Sequence, residues 1–177
     1  MPQRILTIID FSKKNFTFIS YMEFAKDTHA IATKDNNDIV QFSVFLDGKS
    51  LSYNNIIKLC SANEITISGF SFLENFDTTV MRFVVNYPDY AQKILSENGV
   101  GYYTSDIIGV ELDQQIELLN FSNMLFAAEI KLHYMYSFLF RPHGKIGLLL
   151  QTENNEFTKN MLSSTGFRIL SQDDIGR

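Results

Sequence analysis

Histidine and cysteine carry most metal and nucleophilic chemistry in proteins, and this chain has three histidines and one cysteine. No pair among His29, His133 and His143 has the i, i+4 spacing of a helical zinc site. Cys60 has no second thiol to join it, and it falls on the apolar face of a predicted helix, where a free cysteine behaves as a small hydrophobe. We therefore expect no metal site, no catalytic residue and no enzyme activity. His133 is interpreted as a sheet residue and His143 as a turn residue.

Two glycine-containing segments invite comparison with phosphate-binding loops. Neither Gly99-Val100-Gly101 nor Gly144-Lys145-Ile146-Gly147 lies between a strand and a helix in the required order, and neither has the full Walker or dinucleotide spacing. Helix termination and hairpin turning explain both segments. We expect no bound nucleotide and no cofactor.

The charge balance argues against nucleic-acid binding. Fifteen Lys and Arg against 20 Asp and Glu give a net charge of −5 over 177 residues, which repels a phosphate backbone. The alternating aromatics Tyr134, Tyr136, Phe138 and Phe140 resemble the stacking platform of an RNA-binding sheet. Without basic residues around them, we expect them to pack on helices or on a partner sheet.

Hydropathy and cysteine content bear on the compartment. No apolar window reaches the roughly 18 residues needed to span a bilayer, and the apolar stretch after Arg4 is too short for a signal sequence. With a single cysteine there is no internal disulfide. We expect a cytoplasmic protein without a membrane partner, and its 16 Phe and 8 Tyr offer ample material for a core.

The elements that position these residues come from an internal repeat. Four segments recur in the same order and register, which indicates a duplication. The matching pairs are Val44–Asp47 with Val110–Asp113, Ala62–Ile65 with Ala127–Ile130, Ile94-Leu95 and Gly99 with Met161-Leu162 and Gly166, and Thr104–Ile107 with Gln172–Ile175.

Each repeat predicts the order βαββαβ. In the first repeat we expect strand 39–46, followed by a helix that has Ser50 or Ser52 as its N-cap and turns Tyr53, Ile56, Ile57 and Cys60 inward. A hairpin follows, with strands 65–72 and 79–85 and a turn at 74–77. The repeat ends with a helix that begins at Pro88 and turns Tyr90, Ile94 and Leu95 inward, and with strand 100–104. In the second repeat we expect strand 107–112 and a helix that turns Leu118, Phe121, Leu125 and Ala128 inward. A hairpin over 131–151 follows, with its turn at 141–144. The repeat ends with a helix that is capped by Asn154 or Asn155 and buries Phe157, Met161 and Leu162, and with strand 167–170.

The pattern is an α+β fold of two ferredoxin-like repeats with antiparallel sheets, each carrying two helices on one face.

The repeats set the expected domain boundaries. Residues 1–38 belong to neither repeat and are predicted to form a short β-rich N-terminal extension, residues 39–106 form the first repeat, and residues 107–177 form the second. Two ferredoxin-like units then join without a linker near Ile107.

The segment Glu129–Phe138 resembles the second-strand region of tandem ACT-domain proteins. The resemblance extends through Gly101–Leu112 and Gly166–Ser171, and it covers the chain from Ile39 to Ile175. It implies a non-catalytic regulatory protein that binds a small amino acid at an interface between ACT domains and associates as a homodimer. Apolar residues on both faces of the predicted hairpin 131–151 also favour a homodimer.

In ACT domains the loop before the first helix presents backbone N–H groups to the ligand carboxylate. The corresponding residues here are Asp47, Gly48, Lys49 and Ser50 in the first repeat and Gln114 and Gln115 in the second. Because Gly48 permits close backbone approach, Lys49 adds a positive charge and Ser50 can cap the helix, we expect any binding in the first repeat. The alternative is a dimerisation or protein-interaction module of the same fold that has lost its ligand site.

Overall fold

The computed structural model describes residues 37–47, 51–75, 78–114 and 116–176. The predicted N-terminal extension lies outside these residues, except for Asn37 and Asp38. The elements in chain order are β1 (Ile39–Leu46), α1 (Tyr53–Ala62), β2 (Ile67–Asn75), β3 (Thr78–Val85), α2 (Pro88–Glu97), β4 (Tyr102–Leu112), α3 (Ile116–Ala127), β5 (Leu132–Ser137), β6 (Ile146–Thr152), α4 (Asn155–Ser164), β7 (Arg168–Leu170) and α5 (Gln172–Ile175).

Among the described residues, the seven strands form one continuous sheet in the order β2-β3-β1-β4-β6-β5, with β7 also paired to β4. Its two halves, β1–β3 with the start of β4 and β5–β7 with the end of β4, pack against each other and are called the two sheets. Every pairing is antiparallel. Counted within its own repeat, each half has the spatial order second, third, first and fourth strand. The ferredoxin-like order predicted for both repeats is therefore confirmed.

A single strand, β4, serves both repeats. Its residues 102–107 pair with β1, whereas residues 108–112 pair with β6 and residues 109–111 with β7. The last strand of the first repeat thus continues as the first strand of the second, as the expected absence of a linker near Ile107 requires.

Two apolar cores lie between a pair of helices and one sheet face. The first includes Phe42, Phe83, Ile56, Cys60 and Leu95, and the second includes Ile108, Leu150, Phe121, Leu125 and Leu162. Alternation along the strands supplies the inward side chains, while each helix contributes a narrow buried stripe.

A third core lies between the sheet faces that carry no helices. It consists of Ile39, Val84, Ile107, Phe138, Leu149, Leu170 and Ile175, with Tyr134 and Tyr136 packed against it. Gly69 of β2 and Phe138 form an isolated antiparallel bridge, so the two outer strands of the sheet meet. Tyr134, Tyr136 and Phe138 thus pack on a partner sheet, as expected, and that sheet belongs to the same chain. Phe140, the fourth residue of the aromatic run, is exposed instead.

This packing changes the basis for the predicted homodimer. One face of β6 contacts α3 and α4 through Leu148 and Leu150, and the opposite face contacts the first repeat through Leu149. Both apolar faces of β6 are thus covered within one chain, whereas Leu132, Met135 and Leu139 of the same hairpin are exposed. The homodimer stays a prediction.

Helix ends follow the sequence signals. Ser52 is the N-cap of α1 and forms a capping box with Asn55, and Asn154 caps α4 by accepting the Phe157 N–H at 2.9 Å. Gly99 and Gly166 end α2 and α4 with φ of 67° and 94°, in the left-handed region that favours glycine.

Several expected positions are wrong. Four large side chains predicted to point inward are exposed: Tyr53, Tyr90, Leu118 and Phe157. Ile57 is also exposed, and Glu74 and Asn75 continue β2 where a turn was predicted. The fourth repeat match fails, because residues 104–107 lie in β4 whereas Gln172–Ile175 form the helical turn α5. In the described part of the chain, no helix is both long and apolar enough to cross a bilayer.

Candidate functional site

A cleft of about 590 Å³ opens in the second repeat, between the end of β4, helix α3, the residue before β6 and the start of β7. Its volume is in the range of small-molecule sites. The charged residues that line it are Glu111, Asp113, Glu117, Lys145 and Arg168, the amides are Asn120 and Asn123, and the apolar side chains are Met124 and Phe167.

Glu111 lines this cleft from the end of β4, and strand alternation sets the face on which it lies. Val110 and Leu112 point towards the helices of the second repeat, so Glu111 points to the opposite face. Its cross-strand neighbours are Gly147 on β6 and Arg168 on β7. A carboxylate therefore stands in the apolar second half of β4, between Val110 and Leu112, and it is almost fully buried.

Lys145 compensates the charge of this buried carboxylate. Its Nζ lies 3.2 Å from Oε1 of Glu111 and also pairs with Asp113. The hydrogen bond to Asp113, followed by the one to Glu111, raises the pKa of Lys145 above its usual value. The ammonium group therefore stays charged at the mouth of the cleft.

His143 extends the same network. Its Nδ1 lies 2.6 Å from Oε2 of Glu111, and its Nε2 lies 3.7 Å from Oδ1 of Asp174. His143 sits in the 3₁₀ turn Pro142–Gly144 that joins β5 to β6, with φ of 50°. The prediction of a turn residue is confirmed, and its contact with Glu111 is an addition that only the folded chain reveals.

Arg168 is held on the far side of the network by Asp174, at 3.1 Å from Nη2 to Oδ1. Partial burial alone would raise the pKa of Asp174. The hydrogen bonds from the Ser171 backbone and hydroxyl, together with Arg168 and His143, instead hold that pKa below its usual value. Asp174 thus remains ionised and anchors the guanidinium next to the cleft.

The N-terminus of α3 forms the opposite wall. Glu117 in its first turn accepts the Asp113 N–H at 2.6 Å with Oε2, and its own N–H donates to the carbonyl of Gln114. This carboxylate occupies part of the positive end of the helix. The cleft therefore carries negative charge on the α3 side and positive charge at Lys145 and Arg168.

The residues expected from the sequence to bind a ligand lie only partly within the described chain. Asp47 follows β1, where its Oδ1 accepts the Leu51 N–H at 2.7 Å. Gly48, Lys49, Ser50 and Gln115 lie outside the described residues, and Gln114 contributes its backbone carbonyl to the start of α3. Their role in binding stays a prediction.

Glu111, Lys145 and Arg168 were missed as site residues. A charged residue between Val110 and Leu112 in an apolar strand is the one sequence signal that pointed to this cleft.

The other chemically reactive groups have structural positions. Cys60 is buried in the first core, and burial raises the pKa of its thiol to about 11. Within the described residues, no group of three or more His, Cys, Asp or Glu side chains is arranged to hold a metal ion.

Comparison with known proteins agrees with this architecture. A family model described as an ACT domain pair matches residues 37–177. Protein BT0572 from Bacteroides thetaiotaomicron is 23% identical with a TM-score of 0.71, and the match covers 80% of this chain and 99% of that one. The ligand-free regulatory subunit of aspartate kinase from Thermus thermophilus is 10% identical with a TM-score of 0.51, and the match covers 74% and 94%.

No curated protein matches the sequence. At these identities the two solved structures show the fold alone. The family match spans most of the chain, including both repeats and the shared strand between them. This protein therefore belongs to the ACT domain pair family.

Proposed function

We propose that this protein is a non-catalytic, cytoplasmic regulatory protein that binds a small amino acid in the cleft of its second repeat. The observation that carries the proposal is the presence of charges of both signs in the lining of one cleft. Lys145 and Arg168 can receive an α-carboxylate, while Asp113 and Glu117 can receive an α-ammonium group.

The remaining lining residues fit the same class of ligand. Asn120 and Asn123 offer both donors and acceptors, and Met124 and Phe167 provide an apolar surface for a side chain. A ligand that carries only a positive or only a negative charge would leave either the basic or the acidic side chains of the cleft without a partner. Membership of a regulatory family supports binding without catalysis.

A thermal-shift screen against the twenty amino acids tests the proposal. A ligand at 100 times its dissociation constant stabilises the native state by about 2.7 kcal/mol, which for a chain of this size raises the melting temperature by about 5 to 10 °C. Lys145→Met should abolish the shift. Lys131→Met is the matched control, because Lys131 pairs with Glu153 on the surface and does not line the cleft.

The same screen separates this cleft from the first-repeat loop. If Gly48→Val abolishes the shift and Lys145→Met leaves it intact, the ligand binds at the loop that contains Gly48, Lys49 and Ser50. If no amino acid at millimolar concentration moves the melting temperature, the amino-acid proposal is wrong.

A second candidate function is an interaction module that pairs two copies of the chain. The exposed side of α3 favours it, since Ile116, Leu119 and Phe126 present large apolar side chains and Phe126 is 87% exposed. Such a stripe is typical of a protein contact. Sedimentation should then give about twice 20.3 kDa, and Phe126→Ser should return the monomer. A 20.3 kDa species at micromolar concentration would remove this candidate.

A further inference from the structure

The contact between the two sheets contains a polar layer beside its apolar core. We define the layer by Gln41, Ser43, Arg82, Tyr134, Tyr136 and Gln151. Gln41 is fully buried and links both repeats, since its Nε2 donates to Oη of Tyr134 at 2.8 Å and its Oε1 accepts from Oη of Tyr136 at 2.8 Å.

Arg82 places a positive charge in this layer. The residue is 6% exposed, and its Nε is buried without a hydrogen-bond acceptor among the residues that the structure describes. None of the ion pairs in the described structure includes it. Its contact with the second repeat is the ring of Tyr134, whose centre lies 4.1 Å from the guanidinium carbon.

The neighbours of Arg82 in the layer supply no negative charge. Ser43 lies directly opposite Arg82 on β1, and Gln151 lies directly opposite Tyr134 on β6. Burial, followed by the influence of Tyr134, raises the pKa of Tyr136 well above its usual value, so this phenol stays neutral. An arginine does not lose its proton in a protein, and the face of an aromatic ring offsets only part of the cost of burying a cation.

A second polar atom in the layer also has no partner. The side-chain oxygen of Gln151 is buried and accepts no hydrogen bond from the described residues. Rotating this amide by half a turn exchanges its oxygen for its N–H₂ group. Arg82 and Gln151 would then both direct donors into the layer, a combination that suits a negatively charged guest.

We propose that Arg82 binds one small anion between the two sheets, a halide or a carboxylate no larger than acetate, with Tyr134 stacked on the guanidinium. Arg82 comes from β3 of the first repeat, whereas Tyr134 and Gln151 come from β5 and β6 of the second. The anion therefore stabilises the contact between repeats. This site is separate from the cleft of Glu111 and Lys145, and it does not depend on amino-acid binding there.

Thermal unfolding of the full chain in chloride, acetate and gluconate at one ionic strength tests this site. Gluconate is much larger than acetate, lies outside the proposed size limit and serves as the reference. The wild-type melting temperature should be about 3 °C or more higher in chloride or acetate, with a saturating dependence on concentration. Comparing the melting temperatures in chloride and in acetate shows whether the site prefers a halide or a carboxylate.

Arg82→Gln should remove the difference between the anions. Arg141→Gln is the matched control, because Arg141 is an exposed arginine in the β5–β6 turn, and it should keep the wild-type response. Equal melting temperatures in all three salts would overturn the proposal, as would a wild-type response in Arg82→Gln.

If Arg82→Gln does not fold, Arg82→Lys provides the second variant. Lysine keeps the charge and loses the planar, forked donor group, so the anion concentration for half-maximal effect should rise about tenfold. An unchanged concentration dependence in Arg82→Lys would also overturn the proposal.

Discussion

Glu64 and Glu129 take the same left-handed backbone conformation, with φ of 58° and 53°, at equivalent positions of the two repeats. Each follows the first helix of its repeat, and the N–H of the next residue closes the helix end, from Ile65 to Cys60 O and from Ile130 to Leu125 O, both at 2.9 Å. This is the Schellman motif, in which glycine is the favoured residue. The duplication therefore preserved the helix end together with a residue that strains it.

The strain predicts that glycine stabilises the protein at either position. The left-handed conformation destabilises a residue with a Cβ by about 1 to 2 kcal/mol relative to glycine. Glycine in turn lowers the free energy of unfolding by about 0.4 to 1 kcal/mol, because it makes the unfolded chain more flexible. Glu64→Gly and Glu129→Gly should each raise the free energy of unfolding by up to about 1 kcal/mol in urea titrations. Lys58→Gly, on the exposed side of α1, is the control and should lower it by about 0.7 kcal/mol. A loss of stability in both Glu variants would show that φ at these positions is unstrained.

The order of strands and helices was predictable because local signals agree with it. Gln41 and Ser43 alternate with apolar residues in the middle of β1, Pro88 opens α2, and Gly99 and Gly166 end their helices. The division of the chain at 38/39 and 106/107 stays a prediction.

The errors concern which side chains are buried. Helical spacing locates the middle of a buried stripe, such as Ile56 with Cys60, but it does not give the width of the stripe. Tyr90 lies at the edge of its stripe, Tyr53 is the first residue of α1, and both remain exposed. Helix α5 escaped prediction because four residues give no periodicity, and its one signal is the capping box of Ser171 and Asp174.

The cleft was beyond sequence reasoning for a different reason. Glu111, Glu117, Lys145 and Arg168 come from four elements that meet only through strand pairing and helix packing. Their separations along the chain match no recurring motif. The loop before the first helix, residues 47–50, could be predicted as a binding site because its residues are adjacent in sequence.

Gly109 on the shared strand tests the packing between the repeats. A Cβ at this position would lie 2.5 Å from Cδ1 of Ile39 and 3.0 Å from Cβ of Leu170, so the buried Ile39 side chain would have to change its conformation and Leu170 would have to move slightly. Gly109→Ala should therefore lower the free energy of unfolding by about 1 to 3 kcal/mol. Gly101→Ala is the matched control, because nothing lies within 4 Å of its added Cβ, and it should be neutral or slightly stabilising. Equal stabilities for the two variants in urea titration would contradict the close approach at Gly109.

Cys60 should react with thiol reagents only when the first core opens. Its thiol is buried, and its pKa of about 11 against an ordinary 9.0 leaves about a hundredfold less thiolate at pH 8 than an exposed cysteine has. We expect Ellman's reagent to label the native protein at least a hundredfold more slowly than the protein in concentrated urea. Comparable rates in the two conditions would place Cys60 at the surface instead.

The ionised carboxylate of Asp174 should stabilise the folded protein at neutral pH and lose this contribution in acid. Its pKa in the folded protein lies below the ordinary value of 3.8, so its ionised form stabilises the native state above about pH 3.8, and this contribution is lost as the pH falls through the folded value. Asp174→Ala removes the cap on Ser171 and the partner of Arg168, so at pH 7 it should lower the free energy of unfolding by about 1 kcal/mol. Urea titrations between pH 7 and pH 3 measure the difference in free energy of unfolding between the wild type and Asp174→Ala. This difference should shrink as the wild-type carboxylate becomes protonated.

Glu153→Ala is the control for this variant. It removes an exposed carboxylate paired with Lys131 and should change the free energy of unfolding by less than about 0.5 kcal/mol at pH 7. A gap for Asp174→Ala that stays constant down to pH 3 would mean that the side chain stabilises the protein by packing and not through its charge.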